Sequence, residues 1–166
     1  NNKPVPAFDI EPLTDSPSMT IILYHGASPF AEDHPGMITQ GQAMASGGVK
    51  VHIPRLPLLK ELEITSQNVD WIAHHLNWYK NLEENKNKTI IPAGISFSGG
   101  LLLKALLHPQ IKPSPPKSVF IYGTYFDFQS SIKFLLTGEI NHNSQTYKIS
   151  PNGWGLIVLF HNYLKF

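Results

Sequence analysis

"IIPAGISFSGG", Ile90 to Gly100, decides the reading of this chain. Strand-type residues run up to Gly94, two serines then sit among glycines, and "LLLKALL" follows as an apolar helix former. A strand that turns into a helix within a few residues forces the residue at the apex into a strained conformation and lifts its side chain clear of the sheet edge. The positions two residues to either side must be small, because a larger side chain there clashes inside the turn. Gly94 and Ser98 meet that requirement for Ser96. Ser98 has Ser96 and Gly100 as flanks and needs the strand to run one step past Gly94, so the pattern favours Ser96.

Working outward, "MTIILY" (Met19 to Tyr24) and "VKVHIP" (Val49 to Pro54) read as buried strands, and "TIIPAG" and "PPKSVFIYG" as two more. Between them lie helical patterns. Met37, Gln40, Ala43 and Met44 recur at helical spacing before Gly47-Gly48 stops the run. Val69, Ile72, Leu76 and Tyr79 follow a capping residue at Ser66, and the helix after Ser96 is expected to run until Pro109. Strands alternating with helices of this length imply right-handed crossovers and an α/β fold, a mainly parallel sheet flanked by helices. Four prolines in residues 1–18 predict an extended, edge-like or tail-like segment over a helix. Residues 19–127 then form the core. Residues 128–166 form a mostly helical, cap-like segment: a helix over Phe128 to Leu136, a hairpin around Asn141 to Ser144, and a last helix. That helix opens on a cap with Pro151 at its first position and carries Leu156, Leu159, Phe160 and Tyr163 on one face.

The chain has 166 residues, 42% of them hydrophobic, enough for a single core. Thirteen basic residues against twelve acidic ones, with Arg55 the sole arginine and no basic run, leave no electrostatic case for nucleic acid. No stretch reads as a membrane span, and the absence of cysteine excludes thiolate metal sites. The sequence starts at Asn1 without a methionine, and the compartment stays open. "GISFSGG" also reads as an ordinary Gly-rich strand-to-helix turn, though it lacks the Gly-Lys-Ser/Thr ending of a phosphate-binding P-loop and the complete glycine pattern of a dinucleotide site.

A serine at such an apex is the geometry of a nucleophile elbow. The backbone N–H of Phe97, at the start of the next helix, then faces an oxyanion, and the helix dipole favours negative charge there. A second donor is expected from the loop after an earlier strand. "LYHGAS" supplies one: Gly26 lets the backbone come close, and the N–H of Ala27 is the donor.

"LYHGASP", "IPRLP" and "AGISFSGG" together resemble the amino-terminal part of an α/β-hydrolase of the small esterase or dienelactone-hydrolase-like kind, over roughly Met19 to Gly123. The resemblance implies a serine nucleophile, a histidine base and an acid acting on a small-molecule ester without cofactor or metal. It also implies that the acid and the base follow the serine in the chain, after strands later than any visible here. After Ser96 the available groups are Asp127 as acid and His142 or His161 as base. Asp127 serves equally well as a helix cap, and His108, at the end of the elbow helix, is expected to point away. The alternative to an enzyme is a truncated hydrolase fragment that acts as a binding module. In that case an uncovered sheet edge or the apolar terminal helix is expected to drive homo-oligomers. Phe30, Tyr125, Phe126 and Trp154 are candidates for an apolar pocket. The remaining histidines carry structural expectations: His25 ties down its loop, His34, beside Glu32 and Asp33 and before Pro35, is a solvated helix start, His52 is a satisfied buried imidazole, and His74 and His75 are helix-surface residues, one of them packed inside.

Overall fold

The computed structural model describes residues 5–14 and 16–164, without the side chain of Tyr163. Five strands form one sheet in the order β1-β3-β2-β4-β5, with β1 Ala7–Ile10, β2 Met19–Tyr24, β3 Lys50–Pro54, β4 Thr89–Ile95 and β5 Phe120–Tyr122. β2, β3, β4 and β5 run parallel, and β1 pairs antiparallel with β3 along an edge. The helices are α1 Pro35–Ser46, α2 Pro57–Lys60, α3 Ser66–Asn81 and α4 Phe97–Ala105, then α5 Phe128–Thr137 and α6 Gly153–Tyr163. The chain divides into two compact units, Asn1–Thr124 and Tyr125–Phe166.

In the first unit the sheet is apolar on both faces, as a parallel sheet between helices must be. Met37 and Ala45 of α1 pack with Leu23, Val51, Ile53 and Ala93 on one face. The opposite face meets α3, which buries Ile72, Ala73, Leu76 and Tyr79 and packs against α4. A polar chain runs through that layer. Asp9 and His52 are direct partners across β1 and β3, and His52 Nδ1 lies 2.9 Å from Asp9 Oδ1. His52 Nε2 is 3.2 Å from His75 Nε2, and the Tyr24 hydroxyl is 3.0 Å from His75 Nδ1. One proton per ring satisfies every link: Tyr24 donates to His75, His75 to His52, and His52 to Asp9. His75 is the inward-packed member of its pair, and His74 is exposed.

Several local expectations change. α4 ends at Ala105, and single turns carry the chain on through His108 N–H to Ala105 C=O at 3.0 Å, so the regular helix does not reach Pro109. Thr65 precedes α3 without a side-chain cap; the buried Asn68 instead donates to the Glu63 carbonyl at 2.9 Å. His34 is exposed and caps α1, its Nδ1 accepting from Gly36 N–H at 3.1 Å, but its neighbour Glu32 is not solvated. It is buried, and Arg55 Nε donates to both of its carboxylate oxygens at 2.8 and 2.9 Å.

The second unit contains α5, a two-stranded hairpin of β6 Glu139–His142 and β7 Gln145–Lys148, and α6. The hairpin turn places Asn143 and Ser144 at φ 49° and 63°, the left-handed pair that a tight two-residue turn needs. α6 is capped by the Asn152 side chain, which accepts from Trp154 N–H, and it starts at Gly153, so Pro151 lies before the helix. Among its described side chains Val158 and Leu159 are buried, Leu156 is half-buried and Phe160 is exposed, so Phe160 leaves the expected stripe, and the side chain of Tyr163 lies outside the described ones.

Burial sets a pH dependence. It holds the His75 ring down to about 3 from an ordinary 6.5, with His52 adding to the effect, and it holds His25 down to about 4. Both depressed values mean that the folded state keeps neutral rings which the unfolded chain protonates. The stability they contribute is complete above 6.5 and is lost as the pH falls toward those folded values. Urea unfolding between neutral pH and pH 4 will show stability falling by up to about 1.4 kcal/mol per pH unit for each ring. His75→Gln, which can still donate to His52 and accept from Tyr24, will remove roughly half of that slope.

Candidate active site

β4 and α4 meet at Ser96, which has φ 56° and ψ −126°. For a residue with a side chain this is a strained conformation, costing on the order of 1–3 kcal/mol, and it persists only where its surroundings over-determine it. The surroundings are specific. A Cβ on Gly94 would lie 2.6 Å from Gly99 Cα and 2.8 Å from its nitrogen, so strand and helix approach to a distance that only glycine permits. The Ser98 hydroxyl is fully buried, receives the Ile95 N–H at 2.9 Å, and shares its single proton between the carbonyls of Tyr24 at 2.8 Å and Ile95 at 2.9 Å. Ser96 N–H donates to Tyr122 C=O of β5 at 2.9 Å. Ser98 is therefore a stitch in the turn, while the half-buried Ser96 hydroxyl hydrogen-bonds no group among the described residues.

The loop after β2 forms the facing wall. A Cβ on Gly26 would sit 3.0 Å from Ser96 Cβ, 3.2 Å from Ile95 C=O and 3.5 Å from Ser96 Oγ, which places that backbone directly against the apex. Ala27 follows it and is buried, and Phe97 is the first residue of α4. Two ties fix this wall. His25 donates from Nδ1 to its neighbour's carbonyl, Gly26 C=O, at 2.7 Å, and it accepts Leu56 N–H at Nε2 at 2.8 Å. Only the neutral ring can do both, in keeping with its lowered pKa, whose main cause is burial. The second tie is Arg55 on Glu32: burial pushes that carboxyl up, and the Arg55 guanidinium more than reverses it. Arg55 and Glu32 escaped the sequence reading as a pair; the sole arginine, directly after a strand, was the available signal.

Of the candidate partners, Asp127 caps α5, accepting from Gln129 N–H at 3.3 Å and Ser130 N–H at 2.8 Å. His142 is exposed at the end of β6, and His161 lies in α6 with its Nε2 buried and without a hydrogen bond among the described residues. All three belong to the second unit and Ser96 to the first. His108 lies at the far end from Ser96, beyond α4, with Nε2 3.8 Å from Asp70. Phe30 and Phe126 are exposed. Among the described residues no three acidic or histidine side chains are placed to hold a metal ion, and no helix is long and apolar enough to cross a membrane.

Comparison with solved structures finds the same fold elsewhere. The chain superposes on dienelactone hydrolase from Anabaena variabilis with a TM-score of 0.55 at 16% identity, over 71% of this chain and 56% of that one. An α/β-hydrolase superfamily protein from Enterococcus faecalis gives a TM-score of 0.54 at 16% identity, over 95% and 58%. The α/β hydrolase GrgF from a Penicillium species gives 0.54 at 13%, over 81% and 52%. This is an α/β-hydrolase fold. The chain spans a little over half the length of the structures it matches. No protein-family model matches the sequence, and a search of curated proteins returns no match.

In an α/β-hydrolase fold the turn after this strand has to hold its shape without room for adjustment, and two substitutions measure that. Gly94→Ala pushes a Cβ into the backbone of Gly99 and will cost about 3 kcal/mol or more in urea unfolding. Ser98→Ala leaves Ile95 N–H and two carbonyls short of a partner and will cost about 1–3 kcal/mol. Gly153→Ala, where an added Cβ meets nothing within 4 Å, is the control and will unfold as the parent does.

Proposed function

We propose that this chain carries the nucleophile and oxyanion half of a serine hydrolase acting on carboxylic esters or related acyl substrates. The observation that carries the reading is the strained backbone of Ser96 at a strand-to-helix apex with the Gly26 backbone packed against its Cβ. A hydroxyl lifted out of the turn can reach an acyl carbon from the open side. In this reading Ser96 attacks, and the amides of Ala27 and Phe97 stabilise the oxyanion from either wall, the latter with the field of α4 behind it. A histidine takes the serine proton and an acid orients that histidine. Turnover typical of a complete esterase would assign those roles within this chain, to His142 or His161 with Asp127. His25 is unsuited to them, since both of its ring nitrogens are already engaged.

The lack of any imidazole on the Ser96 hydroxyl among the described residues supports a corollary: this chain by itself turns over substrate slowly, because an unassisted serine stays protonated. In a long incubation, a fluorophosphonate will add to Ser96, as mapped by mass spectrometry, while p-nitrophenyl ester turnover stays several orders of magnitude below that of a complete esterase. Phe97→Leu will keep that reactivity, since only its amide is used, and Gly26→Val will abolish it by displacing the wall. An adduct on Ser98, or none on any serine, removes the reading.

A second reading, a binding module that associates through its sheet edge, is favoured by β5. No described strand pairs with its outer side, and Phe120 and Tyr122 on it are 45% and 65% exposed. Light scattering on the same preparation will give the mass of a dimer if this reading holds, and a monomer at micromolar concentration rejects it.

A further inference from the structure

The opposite end of the sheet holds a feature that the elbow does not use. A cavity of about 210 Å³ opens at the start of β4, lined by Lys80, Asn85, Lys86, Lys88, Thr89, Ile90 and residues 114–117. Four of its ten lining residues are lysines, with Lys117 the fourth, and none is acidic. In a chain whose basic and acidic residues nearly balance, 13 against 12, that is a local concentration of charge and not a property of the whole surface. Thr89 and Ser96 lie seven positions apart along an extended strand, roughly 20 Å at 3.3 Å per residue. The cavity is therefore separate from the candidate active site.

The lysines come from three parts of the chain: Lys80 from α3, Lys86 and Lys88 from the turn before β4, and Lys117 from the loop before β5. Their engagements are light. Lys80 Nζ donates to the Ser114 carbonyl, which leaves two of its three protons unspent. Lys86 pairs with Glu83 at 2.5 Å between exposed side chains, an interaction worth under about 1 kcal/mol. Lys88 and Lys117 have no carboxylate partner among the described residues. Burial lowers the Lys80 ammonium below its ordinary value, so an anion beside it would offset that cost. Pro115 and Pro116 stiffen one wall, and Ile90 gives it an apolar side.

We propose that this cavity binds a compact, multiply charged phosphate, such as a diphosphate or triphosphate group. Its size makes the choice. Pockets that enclose whole drug-sized ligands measure about 300–1,000 Å³, so 210 Å³ suits an oxyanion group rather than an entire cofactor. Four lysines among the lining residues, two of them without a carboxylate partner among the described residues, favour a ligand with several negative oxygens over one with a single charge.

Titration calorimetry of the purified chain with sodium tripolyphosphate, at low and at physiological ionic strength, tests this. The expected result is saturable one-to-one binding, at least about tenfold tighter than that of orthophosphate and weakened by salt. Lys88→Gln with Lys117→Gln keeps the aliphatic stems and will weaken it by roughly tenfold or more, the ratio that 1.4 kcal/mol produces. Lys104→Gln, on exposed α4 surface outside the cavity, will leave affinity unchanged, and fluorophosphonate addition at Ser96 will proceed alike with and without tripolyphosphate. Absence of saturable heat, equal affinity for orthophosphate, full affinity in the double variant, or an equal loss in Lys104→Gln each overturns the proposal.

Discussion

The first unit is organised by the contact between Gly94 and Gly99. With 2.6 Å between the position of an added Cβ and the opposing Cα, the strand and the helix after it approach as closely as two backbones can. That approach lets α4 start directly off β4, and the same sharpness puts Ser96 at positive φ. The strain is held by neighbours on three sides. Tyr122 receives its N–H, Gly99 N–H donates back to its carbonyl at 3.1 Å, and the buried Ser98 hydroxyl supplies what the broken ladder leaves unmet. A buried backbone group without a partner costs as much as a lost hydrogen bond, so the Ser98 hydroxyl is engaged on every side by the turn it holds.

Holding one wall of a cleft still is useless unless the other is held too. The wall at Gly26 is a loop, and loops are held by side chains where ladders are absent. Here both ties run to the residues just after β3: Leu56 N–H into the His25 ring, and Arg55 onto Glu32. The first needs an unprotonated imidazole, which burial enforces; the second needs a charged carboxylate, which burial opposes and the guanidinium secures. A bidentate pair also fixes orientation, which a lysine at position 55 could not do as a point charge.

The strand positions and the elbow were legible because their causes are local. β-branched runs bounded by glycine and proline, helical spacing between them, and small residues around a central serine are all written within ten residues of the feature they specify. The His25 tie was legible in role but not in partner, because Leu56 is thirty-one residues away. Asp9, His52, His75 and Tyr24 form a chain whose members come from four elements, and no spacing in the sequence announces it. Glu32 read as solvated because its neighbours Asp33 and His34 are exposed; its burial depends on a loop packing that only the fold brings about. The end of α4 was placed too late for a similar reason: Leu106 and Leu107 are good helix formers, and the turns that replace the helix there are set by where the next segment must go. The bases proposed for Ser96 are the least legible of all, since chain order restricts them to three histidines and nothing local chooses among them.

The two edges of the sheet are treated differently, and the difference reaches the apex. β1 closes one side as a short antiparallel strand carrying a charged Asp9, a protected edge. β5 closes the other with three residues, two of them exposed aromatics, so its ladder belongs to the less stable end of the structure. Yet β5 supplies the carbonyl that receives Ser96 N–H, and an added Cβ on Gly99 would meet Ile121 and Thr124 at 2.9 and 2.7 Å. The strained serine thus leans on the strand that is held least. Whatever pairs with the outer side of β5 stiffens the apex, and by the reciprocity of coupled equilibria anything that fixes the apex strengthens that pairing by the same free energy. Edge and apex are therefore joined directly, through the Ser96 N–H on Tyr122 C=O and the packing of Gly99 against Ile121 and Thr124.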